Sequence, residues 1–126
     1  MLTLPIKKKW FDMILSGEKK EEYRDRREYY DTRFMNHFGF IIVGGKMFNQ
    51  VLPEELKKDE KQPIIFRNGY SSTSPSFTAI CSLREGTGKP EWGAEPGKTY
   101  YVLTIHEIIK QEVRNSGNYG LLTNHR

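Results

Sequence analysis

Short segments in which apolar and polar residues alternate constrain the fold of this chain more than any other feature. The clearest is residues 99–109, where Tyr101, Leu103 and Ile105 share one face. Residues 77–84 show the same pattern, with Phe77, Ala79, Cys81 and Leu83 on one face. Shorter strands are predicted at residues 2–6, 18–24, 40–43 and 64–67. The chain therefore has the pattern of a sheet protein.

Two helices are predicted between these strands. The first covers residues 9–16, where apolar residues recur at intervals of three and four, and Gly17 follows as a left-handed residue that ends it. The second lies near residues 27–36 and presents Tyr30 and Phe34 on one face. A helix after the first strand and another after the second predict an α+β fold, built as a small β-barrel or a strongly bent mixed sheet.

The chain is expected to form one domain. Residues 1–114 are assigned to it, with residues 39–62 as an insertion, because the patterned segments lie on both sides of that region. Within the insertion, residues 52–63 either form one or two exposed helical turns or are mobile. Residues 115–126 are polar and loosely patterned, and they are expected to form a flexible tail.

Cysteine content and the length of apolar runs indicate the compartment. Cys81 is the only cysteine, so an intramolecular disulfide and a Cys-rich zinc site are excluded. No apolar run reaches the roughly 18 residues that a spanning helix needs, and the first residues lack the pattern of a signal peptide. We therefore expect a cytoplasmic protein without a membrane partner. The net charge of +4 is compatible with a polyanionic partner but does not identify one.

The segment LPIKKKWFDMILSGEKKEEYR, residues 4–24, resembles the opening of the ASCH domain family, whose fold is like that of the PUA RNA-binding domain. The family signature Gly-x-Lys-x-x-Glu-x-Arg is matched by Gly17, Lys19, Glu22 and Arg24. The segments FRNGY and KPEWGAEPGK, and the strand behind the latter, resemble bacterial and phage members. The resemblance covers residues 2–38 and 63–109. It implies a PUA-like fold with a ligand cleft lined by the signature strand.

The signature residues suit a nucleotide ligand. Lys19 and Arg24 can contact phosphate, and Glu22 can accept hydrogen bonds from an exocyclic amine or take a proton. In a regular strand Lys19 and Glu22 would lie on opposite faces, so a shared site predicts an irregular backbone at this point. The alternative is that Glu22–Arg24 and Lys19–Glu21 are ordinary surface ion pairs, each worth about 0–1 kcal/mol.

Two later loops contain further candidate ligand-binding residues. Arg67 can contact phosphate, Asn68 can read a base edge and Tyr70 can stack on a base. The alternative is a structural Asn68-Gly69 turn in which Tyr70 anchors the loop. Glu91 lies where members of the family place a further acidic residue. Trp92 could stack on a base or close one end of a barrel.

The resemblance implies binding of RNA or a nucleotide, with a hydrolase of RNA or modified nucleosides as the alternative. One branch of the family hydrolyses acetylated cytidine with a lysine, a threonine nucleophile and a distal glutamate. Lys19 matches that lysine, but Glu22 stands in place of the threonine and could serve only as a general base, with Glu91 as the distal carboxylate. Another member is a metal-assisted ribonuclease, yet Glu22 and Glu91 offer too few ligands to predict a metal, and no cofactor is expected.

Overall fold

The alternating segments form one curled sheet that is covered by two helices. The computed structural model describes residues 1–49, 59–115 and 118–122. In chain order the elements are β1 (Leu2–Pro5), α1 (Lys8–Leu15), β2 (Glu21–Asp25), α2 (Glu28–Phe38), β3 (Phe40–Val43), β4 (Lys46–Asn49), β5 (Gln62–Arg67), β6 (Ser76–Gly86), β7 (Tyr100–Asn115) and β8 (Asn118–Leu122). The loop between β6 and β7 contains one 3₁₀ turn, Pro90–Trp92. The α+β class is therefore confirmed.

The main sheet is mixed, with strand order β1-β5-β6-β7-β2 and β8 paired to the far end of β7. β1 runs parallel to β5, whereas the other neighbours are antiparallel. The pairing of β6 with β7 shifts register between Thr78 and Ala79 and again between Ile80 and Cys81. Such bulges bend long strands, and the sheet here curls into a half-barrel. The predicted strong bend is confirmed.

The core lies on the inner face of this curl, where both helices pack against the strands. The Phe11 ring of α1 lies 5.0 Å from the Phe77 ring of β6, and the Phe34 ring of α2 lies 5.0 Å from the Tyr101 ring of β7. Of the predicted inward residues, Phe77, Ala79, Cys81, Tyr101 and Leu103 are buried, and Leu83 and Ile105 are partly buried against the core. The alternation of the sequence therefore identified the correct face of both long strands.

The helix ends follow the local sequence. α1 ends at Leu15, and Gly17 has a φ of 84°, as expected for the residue that terminates a helix. α2 runs two residues beyond the predicted end, to Phe38, and Gly39 caps it with a φ of 79°. Both glycines adopt a backbone conformation that other residues enter only with strain.

The segments assigned to an insertion and to a tail both contain strands, of which only β3 was predicted. β3 pairs with β4 through the Gly44–Gly45 turn, so part of the supposed insertion forms a two-stranded sheet of its own. Residues 118–122, assigned to a flexible tail, form β8 and pair with β7, because β7 extends beyond the alternating segment as far as Asn115. Residues 50–58, which include most of the predicted helical turns or mobile segment, lie outside the described residues.

Tyr101 provides a pH-dependent test of this packing. Its hydroxyl donates to Asp31 of α2, and burial raises the pKa of Tyr101 from 10.0 to about 12. Because this pKa is higher in the folded than in the unfolded chain, the contribution of Tyr101 to stability is complete below pH 10.0 and is lost as the pH rises through about 12. Tyr101→Phe lacks this titration. The difference in unfolding free energy between wild type and Tyr101→Phe should therefore narrow above pH 10.0, as measured by urea unfolding at increasing pH. A constant difference would contradict the burial of a neutral phenol.

Candidate functional site

An irregular turn between α1 and β2 brings the signature residues together. β2 begins only at Glu21, so the prediction of a strand from residue 18 was wrong for its first three residues. The Lys19 N–H donates to the Met13 carbonyl at the end of α1, at 3.0 Å. Lys19 therefore lies outside the strand and escapes its alternation, which lets its side chain turn to the same side as Glu22.

Lys19, Glu22 and Arg24 form a chain of buried charges. The Lys19 Nζ lies 3.2 Å from Glu22 Oε1, and Arg24 Nη2 lies 2.7 Å from Glu22 Oε2. The three side chains are 0%, 8% and 10% exposed, in that order. The predicted irregularity and the proximity of Lys19 to Glu22 are confirmed. Glu22 and Arg24 do pair, but the alternative of surface pairs is wrong because both side chains are buried and Glu21 pairs with Arg84 instead of Lys19.

The Lys19 side chain is completely buried, and its ammonium group has several partners. Besides Glu22, it donates to the Trp92 carbonyl oxygen at 2.5 Å. Its Nζ also lies 4.7 Å from the centre of the Trp10 ring and 4.9 Å from that of Tyr23. Burial lowers the pKa of Lys19, while Glu22 acts in the opposite direction. Lys19 therefore holds Glu22 in place, but unlike Glu22 and Arg24 it does not line the cleft described below, where it was expected to contact phosphate.

Arg24 joins the two edges of the curled sheet. From β2 its Nη2 donates to the Pro5 carbonyl at the end of β1, at 2.7 Å, and its Nη1 donates to the Tyr30 hydroxyl of α2, at 3.2 Å. Its Nε donates to Glu22 Oε2 at 3.2 Å. A planar group with five N–H donors can make all these contacts at once, which a lysine ammonium cannot. Arg24 thus spans the gap between β1 and β2.

An open cleft of about 500 Å³ lies over this gap. Its lining includes the side chains expected for a polar, aromatic site, namely Trp10, Glu22, Arg24, Tyr30, Asn68 and Tyr70. They come from α1, β2, α2 and the loop after β5. The cleft falls within the usual size range of small-molecule sites.

The loop after β5 supplies one wall of the cleft. The Asn68 amide donates to the Ile6 carbonyl at 3.0 Å, so Asn68 is a structural turn residue that also keeps its Oδ1 as an acceptor. Tyr70 is 92% exposed, which contradicts the alternative in which it anchors the loop. Arg67 does not line the cleft, because Phe66 next to it faces the core and adjacent strand residues point to opposite faces.

Glu91 and Trp92 are also absent from the lining of the cleft. Glu91 is exposed, and the Trp92 ring lies 4.4 Å from the Nζ of Lys89. Only the backbone of this loop contributes, through the Trp92 carbonyl that accepts from Lys19. Gly93 lies against the Trp10 ring, since a Cβ there would come within 2.9 Å of it. The loop therefore contacts Lys19 and Trp10 without itself lining the cleft.

Two aromatic walls of the cleft, Trp10 and Tyr30, were missed by the sequence reasoning. Both belong to the apolar stripe of a helix, and such a stripe by itself indicates core residues. The sequence contains no signal that separates them from core residues, because charged neighbours flank core positions in any amphipathic helix. Lys7 also lines the cleft.

The described residues contain neither a candidate metal cluster nor a membrane-spanning helix. Within residues 1–49, 59–115 and 118–122, no group of three or more His, Cys, Asp or Glu side chains could hold a metal ion. None of the helices in this part of the chain is long and apolar enough to cross a membrane. Comparisons with protein-family models, with curated proteins and with solved structures gave no match.

Proposed function

We propose that this protein binds RNA or a nucleotide, with one base held in the cleft. The observation that supports this most strongly is the convergence of three aromatic rings with a guanidinium and an amide around one opening. Aromatic faces stack on any base, and fixed polar groups read its edge.

The contacts available in the cleft suit a base with a phosphate attached. Arg24 uses four of its five N–H donors within the protein and has one on Nη1 for a ligand. Asn68 Oδ1 is an acceptor for an exocyclic amine. Tyr70 can stack on the base from its exposed position, and Lys7 can reach a phosphate from the rim.

The resemblance to the ASCH domain family supports the same function. The four signature residues meet at one place, with Gly17 forming the turn and Lys19, Glu22 and Arg24 forming the buried charge chain. A strand, a helix and a charged strand followed by a curled sheet also fit a PUA-like fold, which we propose for this chain. We further propose a cytoplasmic location, in keeping with the single buried thiol of Cys81.

Binding of the four nucleoside monophosphates tests this function. NMR titration should shift the amide resonances of Asn68, Gly69 and Tyr70. Tyr70→Ala should weaken the affinity about fivefold to 150-fold, since a stacked base is worth about 1–3 kcal/mol. Stability should not change, because Tyr70 is exposed. Lys61→Ala, at the opposite end of β5 from Asn68, is the matched exposed control. The absence of cleft shifts with every monophosphate and with RNA would overturn the proposal.

A hydrolase remains the second candidate because burial lowers the pKa of Lys19 beside Glu22. In that reaction Glu22 would act as general base for water. Both oxygens of Glu22 are engaged in ion pairs, however, and the Lys19 side chain is fully buried and does not line the cleft. Glu22 would have to leave one partner before it could take a proton, so we rank binding first.

A further inference from the structure

We infer that a single-stranded RNA held in the cleft continues across the surface of α2, over Arg27, Tyr29 and Arg33. These three residues are called the α2 track. The inference rests on the proposed function and extends it, because it makes the ligand an oligonucleotide instead of a free nucleotide.

The α2 track is continuous with the cleft. Tyr30 lines the cleft, and the centre of the Tyr29 ring lies 4.9 Å from that of Tyr30. The Arg27 Cζ lies 5.2 Å from the Tyr30 ring centre and 5.5 Å from that of Tyr29. A strand leaving the cleft over Tyr30 would therefore meet Arg27 and Tyr29 next.

Arg33 and Tyr29 are both exposed and lie against each other. The Arg33 Cζ lies 3.5 Å from the centre of the Tyr29 ring, and its Nη1 donates to the Tyr29 carbonyl at 2.9 Å. The Tyr29 side chain nevertheless remains 47% exposed. A guanidinium held in this way keeps its other N–H donors for phosphate. Because it covers one face of the Tyr29 ring, a base would stack on the outer plane of the guanidinium or on the part of the ring that stays exposed.

The charge of the α2 track has no carboxylate partner within the described part of the chain. No carboxylate among the described residues lies within ion-pair distance of Arg27 or Arg33, whereas Arg24, Arg26 and Arg84 are each paired. The nearby carboxylate of Asp31 accepts the Tyr101 hydroxyl. Glu28 lies about 100° around the helix from Tyr29, off the line that joins Tyr29 to Arg33. Unpaired, exposed arginines beside a stacking ring complement a phosphate backbone with accessible bases.

Affinity as a function of oligonucleotide length tests the α2 track. The probes are the nucleoside monophosphates and mixed-sequence RNA from dinucleotides to oligomers of roughly eight nucleotides, a usual site size for single strands. Wild type should bind the longer RNA at least tenfold more tightly than a monophosphate. The double variant Arg27→Ala/Arg33→Ala should lose most of that gain, keep the monophosphate affinity, and show a salt dependence reduced by about two phosphate contacts.

Matched variants separate specific contacts from net charge. Lys61→Ala/Lys110→Ala removes the same charge from two other exposed positions and should bind every probe like wild type. Arg33→Lys keeps the charge but not the planar stack on Tyr29, and it should give an intermediate loss. Equal losses in the two double variants, or no gain of affinity with length in wild type, would overturn the α2 track. Monophosphate binding in wild type would then still support the proposed function, and its failure would count against that function instead.

Discussion

Replacing Glu22 with glutamine is expected to lower the free energy of unfolding by about 3–5 kcal/mol. The substitution keeps the size of the side chain but removes the charge that both Lys19 and Arg24 face. The Lys19 side chain is completely buried and retains only the Trp92 carbonyl and two aromatic rings as partners. A buried ammonium without a carboxylate bears most of its desolvation cost uncompensated.

Urea unfolding at neutral pH measures this loss, and the chain offers two controls. Lys8 and Asp12 form an ion pair at 2.6 Å whose side chains are 76% and 54% exposed, so Asp12→Asn should cost no more than about 1 kcal/mol. The double variant Lys19→Met/Glu22→Gln removes the buried ammonium as well and should be more stable than Glu22→Gln alone. If Glu22→Gln and Asp12→Asn lower the free energy of unfolding by the same amount, burial does not determine the stability that the charge chain contributes.

Arg24→Met is expected to cost a similar amount, about 3–5 kcal/mol, and to loosen β1. The methionine fills space but leaves Glu22 Oε2, the Pro5 carbonyl and the Tyr30 hydroxyl without their donor. The contact with Pro5 joins the edges β1 and β2 of the sheet. Hydrogen exchange should therefore accelerate at the amide of Ile6, the residue after β1. This amide donates to the carbonyl of Arg67 at the end of β5.

The control for Arg24→Met is Arg84→Met. Arg84 pairs with Glu21 at 3.0 Å, but it is exposed and does not join two edges of the sheet. It should change stability by less than about 1 kcal/mol and leave exchange at Ile6 as in wild type. Unchanged exchange at Ile6 in Arg24→Met would show that the edges are held together without the guanidinium.

The irregular backbone between Lys19 and Glu22 could be predicted from the local sequence. Strand alternation forbade the two side chains from sharing a face, and Gly17 offered the turn that would release one of them. The burial of the pair could not be predicted in this way. It depends on Trp10 of α1 and on the Trp92 carbonyl of the loop before β7, which lie on other elements.

The cleft was only half predictable for a related reason. Glu22, Arg24, Asn68 and Tyr70 were identified as candidates, and the structure brings them together. Arg67, Glu91 and Trp92 were equally plausible by residue type, but the direction of a strand and the course of a loop place them elsewhere. Trp10 and Tyr30 were not identified, because helical periodicity shows which face of a helix packs inward. It does not show which inward residues lie at the edge of the cleft.

The sequence by itself determined the α+β class, the inward faces of β6 and β7, the end of α1 at Gly17 and the irregular start of β2, because these depend on residues close together in the chain. Only the tertiary structure decided that the sheet stays open between β1 and β2, that Arg24 spans this gap and that aromatic side chains of α1 and α2 line it. The physical reason is that curl arises from register shifts between long strands, and those shifts depend on pairing across the sheet.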